Sequence, residues 1–332
     1  MISRPKYSQV LDPAIRKIFD DAYSVQDTKY DKIFNINTSK KNIEYDGAMS
    51  GLNNLSLVSE LGEIPVADPV QGFQTTYTHA KFGKAIQISD EAMEDDQHNI
   101  IKRKPQALAV AAKRSLEQNC SNVFNFGYVS SGSSFVPGGD GKQLFSIAHP
   151  YETTGTFANT FTSTGPSGTA TQLALSNTSL QAAQYELSVM KDEFGNPISA
   201  MADTLVVSPK NAEAASALLF NKVKPGATNN EMNMRNYDVP GVGQINKLIV
   251  WQWLGTPAAV AAGGVGADTW FILDSSQHQL NFFWRRQPSL SAPEYDPIHE
   301  ATTWKLSMRF SVGWSNPRFI FGSKGDASTF AA

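Results

Sequence analysis

Residues 303–314 read TWKLSMRFSVGW, and large apolar side chains alternate there with small or charged ones. The apolar set is Trp304, Leu306, Met308, Phe310, Val312 and Trp314. Successive side chains of a strand point to opposite faces, so this alternation predicts a β-strand with one face in a core. A second strand is expected just before it, at residues 280–286.

A long helix is expected to pack on the apolar face of that sheet. Apolar residues recur every four positions after Pro105, which places them on one helix face. They are Leu108, Ala112, Leu116, Cys120 and Phe124. Acidic residues follow Ser89 and complement the dipole at a helix start, so we expect a spine helix over 89–126, kinked or restarted at Pro105.

The N-terminal part indicates extended elements. Residues 1–39 are expected to form an arm with one short helix, capped by Asp12 and beginning at Pro13. Residues 40–88 contain strand-like pieces at 43–47, 51–54, 64–69 and 73–88, broken by turn residues, which favours a long protruding hairpin. An isolated two-stranded hairpin is marginally stable in water, so it needs a partner surface. Candidate contacts on it are Tyr45, Phe73 and Tyr77.

Helices and strands alternate over residues 179–275, whereas residues 276–332 return to β structure. The Ala/Gly-rich stretch 258–267 is interpreted as a loop. The segment 153–178 is rich in Thr, Ser and Gly, and two interpretations stay open for it: a covered edge or a flexible surface loop. The pattern as a whole predicts an α+β fold.

Composition excludes several classes of protein. The 332 residues include 28 Lys and Arg against 31 Asp and Glu, a net charge of −3, with 41% apolar residues. This composition is not typical of a disordered chain or of a broad nucleic-acid-binding surface. The single cysteine excludes disulfide frameworks and multi-cysteine metal sites. We expect no cofactor, no metal site, no secretory signal and no membrane-spanning segment.

Chemical motifs are weak. Residues 138–142, GGDGK, lack the first Gly and the final Ser or Thr of a phosphate-binding loop, so they predict a plain turn. The five histidines are scattered singly, and a hydrolase using His149 or His299 is the less favoured enzyme hypothesis. A different structural or carbohydrate-binding component, built on the sheet and on Trp251, Trp253 and Trp270, is another alternative. The basic triplet Lys102, Arg103 and Lys104 is interpreted as a solvated or inter-subunit ion-pairing face.

Several phrases carry a family resemblance through their order and spacing. They are FGKAIQIS at 82–89, GKQLFS at 141–146 with His149-Pro150, LVVSP at 205–209, and VGWSNPRFI at 312–320. Together they resemble the major head subunit family of Mu-like phages and prophages, which has the Hong Kong 97-type capsid fold.

That resemblance implies a major capsid protein that assembles as pentamers and hexamers into an icosahedral shell around double-stranded DNA, without reading its sequence. It implies an N-terminal arm (1–39), an extended hairpin loop (40–88), a peripheral domain (89–178), an axial domain (179–275) and peripheral return strands (276–332). No built-in scaffold segment is evident, so we expect a separate scaffold protein, a portal and, in some shells, a decoration protein. The expected location is the virion, after assembly in the host cytoplasm.

Overall fold

The computed structural model describes residues 5–49, 51–66, 68–69, 71–94, 100–163, 167–168, 170–220 and 244–329. Its helices are α1 (Pro5–Val25), α2 (Asp90–Glu94), α3 (Ile100–Asn125), α4 (Asn177–Ser188), α5 (Ala212–Phe220) and α6 (Pro257–Ala261). Its strands are β1 (Asn35–Thr38), β2 (Ile43–Met49), β3 (Gln71–Thr78), β4 (Ala80–Ser89), β5 (His149–Pro150), β6 (Thr156–Phe157), β7 (Thr204–Val207), β8 (Lys247–Val250), β9 (Trp270–Leu273), β10 (Leu280–Leu290), β11 (Glu294–Asp296), β12 (Ala301–Trp314) and β13 (Ile320–Ser323).

The chain forms two compact units that interleave along the sequence. Unit 1 comprises Met1–Glu44, Tyr77–Cys120 and Phe282–Val312. Unit 2 comprises Tyr45–Thr76, Ser121–Asn281 and Gly313–Ala332. Neither unit is continuous in sequence, so each depends on contacts between segments that lie far apart in the chain.

The predicted core strand is β12, and it lies in a five-stranded sheet. The order is β1-β10-β12-β11, and β4 also pairs with β12. The antiparallel register of β4 and β12 runs from Ala301↔Ser89 to Phe310↔Ala80. Five of the six predicted core side chains are buried, and Val312 is half-buried. Its neighbour Ser311 is buried instead, where its hydroxyl contacts the His79 ring.

Aromatic stacking joins three strands of this sheet. The Phe310 ring lies 4.6 Å from the ring of Phe82 and 5.2 Å from that of Phe282, both nearly parallel to it. Trp284 meets Phe310 edge-on at 5.8 Å. Such pairs add stabilisation beyond the area they bury. Phe310 therefore connects β12 to β4 and to β10 through side chains as well as through the backbone.

Helix α3 supplies the predicted apolar face. Its five predicted residues are all buried. In unit 1, Leu108 and Ala112 pack with Phe19 of α1 and Leu306 of β12. In unit 2, the ring of Phe124 lies 5.0 Å from that of Phe271. The helix runs through Pro105 rather than restarting there, since only one backbone bond close to the helix N-terminus is lost.

The beginning of the predicted spine helix differs from expectation. The first helical segment, α2, starts at Asp90 and is described only as far as Glu94, and residues 95–99 lie outside the described residues. Helix α1 begins at Pro5, so Pro13 lies inside it and Asp12 is not its cap. The Asp12 carboxylate instead accepts hydrogen bonds from Arg16 Nε at 2.8 Å and Trp304 Nε1 at 3.2 Å.

Unit 2 contains a four-stranded sheet of order β13-β9-β7-β8, in which β7 and β8 are parallel. Helix α4 begins with a capping box between Ser176 and Ser179, and its apolar side packs on this sheet. Strand β13 belongs to this sheet through its pairing with β9. The C-terminal strands were expected to return together to the peripheral region, and β13 differs from that expectation.

Two further predictions about local structure were wrong. The stretch 258–267 is not entirely loop, because α6 begins at Pro257 with Thr256 as its cap, whose hydroxyl accepts from the Ala259 N–H. The strand predicted over 73–88 is broken at His79, and only β3 remains in the hairpin with β2. Strand β4 joins β12 instead, because its backbone pairs there over ten residues.

The Phe310 stack generates a stability prediction. We expect Phe310→Ala to lower the free energy of unfolding by about 3–5 kcal/mol, because it leaves a cavity between Phe82 and Phe282. Lys305→Ala, at an exposed position of the same strand, is the control and should change it by less than about 0.5 kcal/mol. Urea unfolding of dissociated subunits measures both, and equal stability of the two variants would contradict this core assignment.

Candidate assembly surface

The hairpin of β2 and β3 carries a long exposed apolar segment. Residues 51–66 contain no strand or helix, and all sixteen are exposed. Leu55, Leu57 and Leu61 are fully exposed, and Val66 retains 93% of its accessible surface. Leu52, Val58 and Ile64 add further apolar surface. A monomeric soluble protein rarely exposes contiguous apolar patches of this kind, and they are typical of protein–protein interaction sites.

Residues 51–54 and 64–69 were expected to be strand-like. The described residues 51–66 contain no strand, only one tight turn in which the Gly62 N–H donates to the Ser59 carbonyl. Regular pairing would satisfy the backbone, but β2 and β3 already pair with each other and leave this segment between them. The segment therefore has no strand partner within the described residues.

The base of the hairpin, in contrast, is held by polar contacts within unit 2. Asp46 of β2 accepts hydrogen bonds from Ser315 Oγ at 2.5 Å and from Asn281 Nδ2 at 2.7 Å. Thr75 of β3 is buried, and its hydroxyl accepts from the Gly139 N–H at 3.0 Å. These contacts fix the two strands where they leave the body of unit 2.

A pocket of about 160 Å³ lies beside this base and is lined partly by Phe73, Phe157 and Phe319. Its polar wall carries four carboxylates and one guanidinium: Asp140, Glu152, Asp192, Glu193 and Arg318. Arg318 and Glu193 form an ion pair shielded from solvent. Burial raises the pKa of Glu152, although a hydrogen bond from the Phe73 backbone opposes this shift. The carboxylates thus serve the hairpin and the local ion pair.

The three hairpin residues predicted as contacts between copies differ in their exposure to solvent. Tyr45 is 60% exposed and Phe73 is half-buried. Tyr77 is buried, with its ring 5.0 Å from that of Phe283, so it has no surface to offer a neighbour. Alternation along β3 explains the difference, since the inward face at position 77 meets the core of unit 1.

The basic triplet is only partly available for contacts. Lys102 and Arg103 are exposed on α3. Lys104 is half-buried, and its ammonium donates to the Gln87 carbonyl at 2.7 Å. Two cations of the triplet therefore remain at the surface, and the third joins α3 to β4 within unit 1.

The residues of the alternative functions lie in different surroundings. His149 is fully buried, so a substrate cannot reach its ring as a hydrolase would require. His299 is exposed and bonds to Asp296 at 2.7 Å within a turn. Trp251 and Trp270 are buried in unit 2, where they are not available to stack on a sugar ring, and Trp253 is half-buried.

Burial also settles the state of the single cysteine. Burial raises the pKa of the Cys120 thiol well above its usual value, and the charge of Glu117 adds to the shift. Cys120 is thus a small apolar residue of the helix face. Within the described part of the chain, we find no helix long and apolar enough to cross a bilayer and no group of three potential metal ligands.

Sequence reasoning missed the residues that hold the hairpin. Asp46, Ser315 and Asn281 are ordinary polar residues far apart in the chain, and no local pattern connects them. The turn at 138–142 was predicted, and the Gly138 N–H indeed donates to the Lys142 carbonyl across it. Its contact with Thr75 follows only from the tertiary structure.

An exposed apolar segment on a hairpin whose base is held by polar contacts is an arrangement suited to binding a protein partner. The sequence profile of the family described as phage capsid protein matches residues 73–322, which is three quarters of the chain. The chain belongs to the phage capsid protein family. It is a major capsid protein, and its role is to form the shell of a phage head.

Solved structures agree with this family membership at the level of the fold. The capsid protein of the cyanophage P-SCSP1u is 12% identical with a TM-score of 0.54, over 90% of this chain and 88% of that one. A chain of Microbacterium phage Oxtober96 is 10% identical with a TM-score of 0.53, over 92% and 97%. No curated protein matches the sequence.

A buried histidine stands where β3 ends and β4 begins. The Ser39 hydroxyl donates to Glu44 at 2.6 Å, so it accepts from His79 Nε2 at 3.1 Å. The Ser311 hydroxyl lies 3.0 Å from Nδ1 and donates to it. A neutral ring is therefore fully hydrogen-bonded. Burial lowers the pKa of His79, and the charges of Arg309 and Arg285 lower it further while Glu44 opposes them.

This environment predicts a pH effect on capsid-subunit stability. Because the folded pKa of His79 lies below the value of about 6.5 in the unfolded chain, the unfolded state binds the proton more readily. We expect the free energy of unfolding to fall as the pH drops through about 6.5, and less so in His79→Gln. Chemical denaturation at several pH values tests this. A slope unchanged in His79→Gln would contradict the prediction.

Proposed function

We propose that this capsid protein is the major head subunit of a Mu-like phage or prophage, and that it assembles as pentamers and hexamers into an icosahedral shell of the Hong Kong 97 type. The phrases at 82–89, 141–146, 205–209 and 312–320 support the assignment to Mu-like phages. The long helix α3, the five-stranded sheet and the separate four-stranded sheet support the fold type.

We propose that the arm comprises residues 1–39 with α1, and that the axial domain comprises 179–275 with β7, β8 and β9. The proposed peripheral domain comprises 89–178 and 276–332, with α3 as its spine. The pairing of β13 with β9 favours assigning β13 to the axial domain instead. The extended loop was expected over 40–88, and the pairing of β4 with β12 supports a shorter loop, limited to the hairpin of β2 and β3.

The observation that carries the proposal is the exposed apolar segment 51–66. Burying one large aliphatic side chain stabilises an interface by about 1.5–3 kcal/mol, and this segment offers seven of them. Its own subunit does not cover them. In a shell, every subunit presents the same segment to a neighbouring copy, so head-to-tail contacts repeat and close into rings. Many modest contacts then add up to a stable particle.

Other surfaces and partners complete the proposal. Tyr45 and Phe73 on the hairpin and the exposed cations Lys102 and Arg103 are proposed contacts between copies. The net charge of −3 suits a shell that encloses double-stranded DNA without binding its phosphates strongly. Assembly in the host cytoplasm would involve a separate scaffold protein and a portal, and a decoration protein in some shells.

A matched pair of variants tests the role of the segment. Leu55→Ser, Leu57→Ser and Leu61→Ser combined should leave the subunit folded, because these side chains contact nothing within it, and should abolish shell formation. Val25→Ser with Ile298→Ser removes exposed apolar side chains elsewhere, at 80% and 85% exposure, and serves as the control.

Sedimentation and negative-stain electron microscopy of the concentrated proteins measure the outcome. The wild type and the control should form rings or closed particles, and the triple variant should sediment as a folded small species. Normal shells from the triple variant would overturn the proposed role of this segment. A wild-type protein that remains a monomer at high concentration, with scaffold protein supplied, would overturn self-assembly altogether.

A further inference from the structure

The glycine turn at residues 138–142 forms the surface on which β3 rests. Its Gly139 N–H donates to Thr75 Oγ1 at 3.0 Å. A Cβ on Gly139 would lie 2.7 Å from the carbonyl carbon of Gln74, and one on Gly138 would lie 2.1 Å from the Trp314 ring. Only glycine therefore allows the turn to lie between the hairpin strand and Trp314. The phosphate-loop-like sequence is explained by this close packing.

One carboxylate organises the turn from within. Asp140 Oδ1 accepts from the Lys142 N–H at 3.0 Å, which closes the turn on itself. Asp140 Oδ2 lies 2.6 Å from Nδ1 of His149, and both side chains are almost completely buried. The shape of the turn thus depends on the contact between Nδ1 of His149 and the Asp140 carboxylate.

His149 faces a hydrogen-bond acceptor with each ring nitrogen. Nδ1 faces the Asp140 carboxylate, and Nε2 lies 3.2 Å from the Leu144 carbonyl oxygen, which only accepts. Both contacts are satisfied at once only when both nitrogens carry hydrogen, which is the imidazolium form. A neutral ring leaves a lone pair against one of the two oxygens, and an unmade buried hydrogen bond is costly.

The surroundings leave Asp140 as the direct counter-charge. Phe157 stacks on the imidazole at 5.2 Å, and Trp314 meets its edge at 5.9 Å. The other charges nearby are the Arg318–Glu193 ion pair, whose guanidinium lies over the Phe157 ring, and Glu152, which interacts electrostatically with Asp140. Lys142 is exposed. The ion pair is therefore enclosed mainly by aromatic rings.

We propose that the His149–Asp140 ion pair is a positioning device for the hairpin: it holds the glycine turn in the form that receives β3, and loss of the contact between the two side chains loosens β3 from that turn. The consequence for the shell rests on the proposed assembly role of the hairpin. The positioning itself concerns one subunit and does not depend on that role.

Two substitutions at Asp140 separate this proposal from a general structural role. Asp140→Ala removes the acceptor for both Lys142 and His149. Asp140→Asn keeps an oxygen for the Lys142 N–H and offers an amide that donates to the Nδ1 lone pair of a neutral ring. The neutral ring then keeps its Nε2–H on Leu144, so both contacts are satisfied without charge. His299→Gln changes the exposed His299–Asp296 pair and is the control.

Hydrogen exchange of dissociated subunits at a single pH, followed by mass spectrometry, measures the positioning. The wild type and the control should protect residues 71–76 equally, and Asp140→Ala should lower that protection about tenfold while the protection of β7 is unchanged. Asp140→Asn should keep the wild-type protection of residues 71–76, because both contacts of the ring and the bond to the Lys142 N–H are restored.

Two results would overturn the proposal. One is an Asp140→Ala variant that protects residues 71–76 as well as the wild type does, and the other is an Asp140→Asn variant in which that protection is as low as in Asp140→Ala. Should Asp140→Ala fail to fold, the comparison of wild type with Asp140→Asn decides alone. Shell formation by the same proteins is scored separately, so a positioned hairpin without shells would count against the assembly role and not against the ion pair.

Discussion

The stacking of Phe82, Phe310 and Phe282 is the interaction on which unit 1 depends. It brings together three strands, β4, β12 and β10, and β4 is separated from the other two along the chain by most of unit 2. Backbone pairing alone orients strands, but the buried rings supply the free energy that holds such distant segments together. Helix α3 packs on this sheet through Leu108 and Ala112, which meet Leu306 of β12.

The hairpin of β2 and β3 differs from the core of unit 1, because its apolar side chains lie outside and its polar side chains are held against its own subunit. Its base is polar and satisfied by its own subunit, through Asp46, Thr75 and the Glu152 carboxylate. Its outer segment carries apolar side chains that are largely exposed on the subunit. Hydrogen bonds at the base fix the direction of the hairpin and add a small net stabilisation, whereas the apolar area at the end contributes affinity only when a neighbour covers it. A shell subunit needs both a satisfied polar base and an exposed apolar segment, since it must stay in solution before assembly and bind its neighbours during assembly.

The family relationship rests on patterns more than on identities. Chains only 10–12% identical to this one reach TM-scores of 0.53 and 0.54 over most of their length. Core positions tolerate exchange among apolar residues when volume and spacing are kept, so such a fold can persist while its sequence changes. The alternation in β12 and the four-residue spacing in α3 are constraints of this kind. The surface residues that distinguish one shell from another are free to vary.

The sequence by itself determined the elements whose signals are local. Period-two alternation predicted β12, and the spacing from Leu108 to Phe124 predicted the buried face of α3, because each pattern reflects one element against one core. The turn at 138–142 and the hairpin between β2 and β3 were also readable from their glycines and flanking strands. Only the tertiary structure decided that β4 leaves the hairpin for β12, that β13 joins β9, and that His149 faces Asp140 beneath β3. These pairings join segments distant in sequence, and their free energy comes from burial and hydrogen bonds that no local pattern encodes.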